Sequence, residues 1–491
     1  MYRTRVSLLG FALLTACSVG PDYRPRSAAE LGVPESYSVP AAPTREDLTR
    51  WWAKFDDPVL GQLVEQAAAG NTDIAQAIAR LRQAREALVQ SRSQLLPSIS
   101  GAAGYNGSEN LVGGTRNIQL SDGSITSVSS SGGNSFSFGL DAQYQLGLFG
   151  EVRRTVEASR AQYQASGFDY VTTLLSIQSE VARNYVLARA YQAQLANARA
   201  SLAIQDENLE IAGFRVQAGL VSSVDVEQAR GQRAQTAATV PDIEQQYNAA
   251  VSRLGVLTGQ APGALKTLIT PVKPIPAGPP TVGVGIPADT LRQRPDVRAA
   301  ERTLAAATAQ IGVAKAALYP ALAISGSIDT NAVTLGGIGD AITGGLFAGL
   351  TQAIFNGGRL RAQVRSNEAA ADAAFAAYKG TVLLALEDIE TAAAALEAAR
   401  QREVQFRIAF DAASASALLA RNQYRTGLTD FTTLNQQETS LLSAQNGLTQ
   451  ARADQAGALV ALYTALGGGW DATVIPEASA TGPTTNVSGT R

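Results

Sequence analysis

Cys17 is the only thiol in the chain, and no histidine stands anywhere to activate it. Without histidine neither a Ser–His nor a Cys–His pair can be assembled, and zinc, copper and haem sites of the usual kinds lack ligands. Met1 is the only methionine, which removes a thioether relay for soft metals. Carboxylates are plentiful, but they are scattered along helix faces as solvated charges are, with no pair set apart as acid and base. The residues therefore point to no enzyme, no metal and no cofactor. A formal charge of -2 gives no sign of a nucleic-acid partner either.

The surroundings of Cys17 supply the one reaction the sequence does suggest. Arg3 and Arg5 precede a short apolar stretch, Val6 to Leu14, too brief to span a bilayer. Leu14-Thr15-Ala16-Cys17 then resembles a bacterial lipobox, in which the cysteine is lipidated and becomes N-terminal after cleavage. Ser18 follows where an inner-membrane retention signal would have Asp, so delivery to the outer membrane is expected. No later apolar run reads as long enough for a transmembrane helix. If the chain spans a membrane, strands must do it.

The elements that carry this anchor occur twice. Leu95-Leu96-Pro97-Ser-Ile-Ser-Gly returns as Leu318-Tyr319-Pro320-Ala-Leu-Ala-Ile-Ser-Gly, and Phe214-Arg215-Val-Gln-Ala-Gly219-Leu220 as Gln423-Tyr424-Arg-Thr-Gly427-Leu428. A duplicated helix–strand–helix unit suggests a pseudo-symmetric wall. No proline interrupts the chain between Pro97 and Pro241, or between Pro320 and Pro476. From 151 to 218 one helix, or two stacked ones, can run about 100 Å at about 1.5 Å per residue. From Tyr170 to Val216 a series of positions steps by alternating threes and fours, apolar except at Asn184 and Gln205, and it repeats from Tyr378 to Tyr424 with Glu403 among its members. Such a period implies left-handed supercoiling.

Strands are marked by a different period. Ser135 to Leu146 alternates without a fault, with Phe136, Phe138, Leu140, Ala142, Tyr144 and Leu146 on one face. That matches a tilted transmembrane strand, apolar to lipid and polar to a lumen. Its expected partner is 98–106, with the Ser/Gly-rich 107–134 between them an exposed loop. The second copy offers 321–329 and 345–355, with Leu346, Ala348, Leu350 and Ile354 on one face. Four strands per chain cannot close a barrel in lipid without unpaired edges, so oligomerisation is required; three chains would supply twelve strands. The expected organisation is a signal peptide (1–16), a lipidated extended arm (17–57), a first repeat (58–260), a Pro-rich equatorial linker (261–287), a second repeat (288–467) and a flexible tail (468–491). Within the repeats the hairpins lie at about 98–146 and 321–355, and the long helices at 151–255 and 358–466.

These features together resemble the outer-membrane efflux family of TolC-like ducts, in the lipoprotein branch serving drug pumps. Arg294-Pro295-Asp296-Val297-Arg298 resembles the segment that opens that family's second repeat, and Phe355-Asn356-Gly357-Gly358-Arg359 its turn from strand back into helix. The resemblance covers nearly all of residues 17–470. It implies an α+β membrane protein: a homotrimer with a twelve-stranded outer-membrane β-barrel continuous with a twelve-helix periplasmic α-barrel. The implied partners are a periplasmic adaptor protein, an inner-membrane pump and outer-membrane lipid.

In such ducts the tips of the periplasmic hairpins dock onto the adaptor. Here those are Gly219, Leu220, Val221 and Ser222, and Gly427, Leu428 and Thr429. Glycine is also what a long helix needs to stop and turn. By spacing from the tip glycine, Thr432, Thr433 and Gln436 fall where relatives carry pore-facing apolar or acidic residues. Gln436 in place of a carboxylate departs from an acidic ring. Asp225 matches a family aspartate that ties the closed tip, and Tyr424 one of its partners. Thr429 stands where a basic partner occurs, so a latch between Asp225 and Tyr424 should be weaker than one using an arginine. Asp225 also reads as a solvated charge at a helix N-terminus. The function expected is a passive exit duct for small molecules, drugs among them. A type I protein-secretion duct is the alternative, disfavoured by the lipidated Cys17. A structural coiled-coil lipoprotein is disfavoured by the alternation in 135–146.

Overall fold

The computed structural model describes residues 18–38, 47–109, 111, 115–119, 123–129 and 133–474. Cys17 and the end of the tail lie outside them. The helices are α1 (Ala28–Leu31), α2 (Pro58–Gly70), α3 (Thr72–Ser93), α4 (Glu151–Gln217), α5 (Ser223–Leu257), α6 (Lys266–Ile269), α7 (Pro287–Leu291), α8 (Pro295–Ala316), α9 (Arg359–Thr426) and α10 (Phe431–Ala465). The strands are β1 (Ser98–Gly107), β2 (Thr115–Gln119), β3 (Ile125–Ser129), β4 (Asn134–Leu146), β5 (Ala321–Ala332) and β6 (Thr343–Thr351). Contacts divide the chain into two units, each assembled from separated stretches.

The first unit holds Ala84–Tyr163, Thr303–Phe375 and the start of the arm. Its sheet runs β1-β4-β5-β6, antiparallel at every pairing, with β1 and β6 as edges. Leu140 lies opposite Ile328, Tyr144 opposite Ile324 and Leu322 opposite Leu350, so the alternating apolar positions share one face. Much of that face is bare in a single chain: Ile99, Phe138, Leu140, Ile328, Leu346 and Leu350 are all exposed. Phe347 interrupts the opposite, polar face, where its ring lies over Gly349.

Two sequence expectations need correction here. The segment 107–134 is not loop alone, because β2 and β3 pair antiparallel from Thr115↔Ser129 to Gln119↔Ile125. Thr, Ile and Val suit strands, but five residues with no clean alternation leave little signal. The last strand ends at Thr351 and does not reach residue 355. Gly357 and Gly358 take positive φ and Gly358 N donates to Asn356 Oδ1, a turn that leaves Ile354 and Phe355 almost fully exposed.

In the second unit Trp51, Trp52 and Phe55 of a short 3-10 helix sit in the main core with Leu60, Tyr185, Leu254, Ile389 and Tyr463. Trp51 stacks on Tyr463 with ring centroids 5.7 Å apart. The heptad positions all lie on buried or half-buried helix faces. None of them, from Tyr170 to Val216 or from Tyr378 to Tyr424, is exposed. One 18-residue window of α9 reaches a mean hydropathy of 1.3, enough by composition to cross a membrane. This departs from the expectation of no such run. Alanine raises the hydropathy there, while Tyr378, Val382 and Ala385 are buried along the helix seam. Pro241 lies inside α5, and the position 208 residues on, in α10, is Thr449. Proline has no N–H, so the Ala237 carbonyl receives no helical bond from it.

Candidate functional site

Both long-helix turns are built the same way. In α4 the chain ends with Gly219 N donating to the Val216 carbonyl and Leu220 N to the Arg215 carbonyl, each at 2.9 Å. In α9, Gly427 N reaches the Tyr424 carbonyl (3.1 Å) and Leu428 N the Gln423 carbonyl (2.8 Å). These are paired Schellman caps, with the glycines at φ +69° and +78°. The next helices are capped at once. Ser222 Oγ accepts from Val224 N at 3.3 Å, and Asp430 Oδ1 from Thr433 N at 2.7 Å. That bond holds the Asp430 carboxyl below its ordinary pKa.

A Schellman cap usually packs its C″ side chain on C3. Here the C3 residues are Arg215 and Gln423, both polar, and Leu220 and Leu428 stay 70% and 79% exposed. A largely exposed apolar side chain is thus presented at each turn. Gly219 has nothing within 4 Å of an added Cβ, so only backbone strain opposes substitution there. Gly219→Val is expected to cost about 1–2 kcal/mol. The melting midpoint of the purified protein should fall, and fall much less for Gly219→Asn.

Behind the turns lies a small core of Ala229, Ala420, Tyr424, Phe431 and Leu434. Tyr424 is 1% exposed and meets Phe431 edge-on at 6.0 Å. The Arg215 guanidinium stacks 4.6 Å from its ring centroid and donates to its carbonyl at 2.9 Å. Burial raises the Tyr424 pKa; the Asp225 charge adds to the rise and Arg215 opposes it. Among the described residues the Tyr424 hydroxyl has no hydrogen-bond partner, so the structure brings Asp225 near Tyr424 without joining them by a hydrogen bond. Thr432, Thr433 and Gln436 are exposed on the first turns of α10, and Val221 and Thr429 are half-buried at the turns.

Two features at this end were not read from the sequence. Arg215, and not residue 429, is the cation beside Tyr424. Arg421 grips Glu438, itself only 5% exposed, through Nε–Oε1 and through Nη2–Oε2 at 2.9 Å. Such a two-pronged pair is stronger than a neutral one, and a half-buried arginine meeting a buried glutamate across a turn gives no periodic signal.

The matches to known proteins are extensive. The family model described as outer membrane efflux protein matches residues 63–260 and 286–468. The chain belongs to the outer membrane efflux protein family. Nodulation protein T of Rhizobium leguminosarum bv. trifolii is 32% identical over 470 residues, covering 94% of this chain and 96% of that protein. Pyoverdine export outer membrane protein OpmQ of Pseudomonas putida is 33% identical over 457 residues, covering 89% and 92%. The solved outer-membrane channel OprN superposes with a TM-score of 0.82 at 34% identity, covering 92% of this chain and all of that one. The efflux protein thus has the α+β fold of outer-membrane channels. It is an outer-membrane exit duct for efflux, a passive channel and not an enzyme.

Proposed function

We propose that this efflux protein is the exit duct of a tripartite system for small molecules, working as a homotrimer with a periplasmic adaptor and an inner-membrane pump. The sheet carries the reading. Four antiparallel strands leave β1 and β6 as unpaired edges and an apolar face bare. In hydrocarbon both must be satisfied, and copies joined edge to edge do so. Three copies give twelve strands. A relative named for the export of pyoverdine supports a small-molecule cargo.

The chain is organised as two repeats (58–260 and 288–467) about the 261–287 linker. Cys17 carries the lipid that holds the duct to the outer membrane. Gly219–Ser222 and Gly427–Thr429 are the adaptor-docking tips, supported by their matched caps and bare leucines. Asp225, Tyr424, Thr432, Thr433 and Gln436 form the periplasmic gate. Untwisting of the helix ends would release Tyr424 from Arg215 and Phe431 and widen a water-filled pore.

Ethidium accumulation tests the cargo class. Cells lacking the gene should retain several-fold more dye, and the intact gene should reverse this. Cys17→Ala complementation measures how much the anchor matters. Unchanged retention in a strain without other ducts would reject small-molecule efflux and direct attention to secreted protein in the medium.

A further inference from the structure

Ser18, the first described residue, does not lie loose beside the sheet. Val19 N donates to the Phe149 carbonyl at 3.2 Å. Ser18 packs so closely on Gly150 (φ +85°) that an added Cβ there would fall 2.7 Å from Ser18 Oγ. Two residues on, a Cβ on Gly20 would fall 2.5 Å from the Gly312 Cα, so the two backbones touch. Asp22 then accepts from Arg154 Nη2 at 2.6 Å, with the arginine side chain 6% exposed. The arm is fixed at successive points from its first described residue onward.

Ser18 is also a wall of a cavity of about 490 Å³. Leu95, Tyr144, Leu146, Val152, Leu322 and Ile324 supply its apolar lining, with Gln94, Gln145 and Arg153 a polar minority. Tyr144 pairs with Ile324 and Leu146 with Leu322 across the β4–β5 ladder. All four belong to the face that alternation assigns to lipid, and they stand at the strand ends next to α4 and α8. The cavity therefore opens on the lipid side of the sheet, at the end where the arm is bolted down.

We propose that this groove seats an acyl chain of the lipid on Cys17. The inference rests on the proposed lipidation of Cys17. One peptide unit, about 3.8 Å between Cα atoms, separates residue 17 from Ser18, so a lipid on Cys17 is joined to the residue next to one that lines the groove. A chain laid there covers apolar side chains at the sheet's helix-proximal end and turns a general tether into a fixed one. The sheet would then meet the membrane at one depth and one orientation.

Metabolic labelling with a diazirine-bearing fatty acid, followed by irradiation of the protein in its outer membrane, tests this. The expected product is the Cys17 peptide joined through its acyl chain to peptides containing Tyr144–Val152 or Leu322–Ile324, as the majority of protein cross-links. Ile324→Trp, which fills the groove from an already lipid-facing position, should reduce that product at least five-fold while labelling of Cys17 persists. Labelled Cys17 with cross-links spread along the strands would overturn the groove and leave the lipidation standing. Groove peptides bearing a phospholipid mass, unchanged in a Cys17→Ser protein exported by an ordinary signal peptide, would assign the groove to bulk lipid and overturn the proposal. No label on Cys17 would overturn the lipidation reading itself, and the proposal with it.

Discussion

Leu220→Asp combined with Leu428→Asp is expected to raise ethidium retention to the level of the deletion strain while leaving the heat-sensitive trimer band in mild detergent unchanged. Both leucines are largely exposed, and the helix-capping positions they would ordinarily cover are Arg215 and Gln423. Little within the tip is lost when they change, since they are 70% and 79% exposed. Burying one leucine side chain at a docking surface contributes about 1.5–3 kcal/mol. Losing both removes about 3–6 kcal/mol per chain, which weakens docking by two to four orders of magnitude. The carboxylates add the cost of desolvating a charge. Dye retention equal to wild type would show that the adaptor does not grip these side chains.

Arg189→Met should lower stability. The Arg189 guanidinium is fully buried, and its Nη1 donates to the Ile269 and Pro271 carbonyls at 2.9 and 2.7 Å and to Gln192 Oε1 at 2.7 Å. It lies 4.9 Å from the Tyr185 ring centroid. Tyr185 donates to Asp57 Oδ2 at 2.6 Å, and Asp57 caps α2 through Val59 N at 2.9 Å. Burial, with the Asp57 carboxylate beside it, pushes the Tyr185 hydroxyl well above its ordinary pKa, so it remains a donor. One side chain thus holds the proline-rich linker onto α4. Methionine fills the volume but leaves the Pro271 carbonyl without this donor, at a cost of about 1–3 kcal/mol, offset in part because the Arg189 Nε and Nη2 donors are buried without a partner among the described residues. Arg189→Lys keeps the charge and should recover part of the loss. The denaturation midpoint followed by Trp51 and Trp52 fluorescence, with protease cleavage in the linker as a second readout, measures both. An unchanged midpoint would mean that solvent or another chain satisfies those carbonyls.

What the sequence made legible follows from periodicity. Alternation over 135–146 and the threes and fours from Tyr170 onward are dense, local signals, and the sheet and the helix seams obey them. The tip glycines were legible because a positive φ restricts the choice of residue. The arm was less so. Its prolines suggest an extended chain, yet Ser27 and Glu30 form a capping box for α1, and Trp51-Trp52 enter the core through partners some 400 residues away. Arg189, Arg215 and Arg421 were missed for one physical reason. Each is defined by what it meets across a turn or a linker, and a buried or half-buried arginine looks in sequence like any solvated one.

Because Pro241 removes one rung from α5 and Thr449 keeps it in α10, the two helical hairpins of a chain differ in bending stiffness. A torque shared equally between the two tips would flex the first-copy rod farther than the second. In a closed ring of three chains, six superficially equivalent staves would yield as three compliant and three rigid ones, and the aperture would widen as a triangle before it became round.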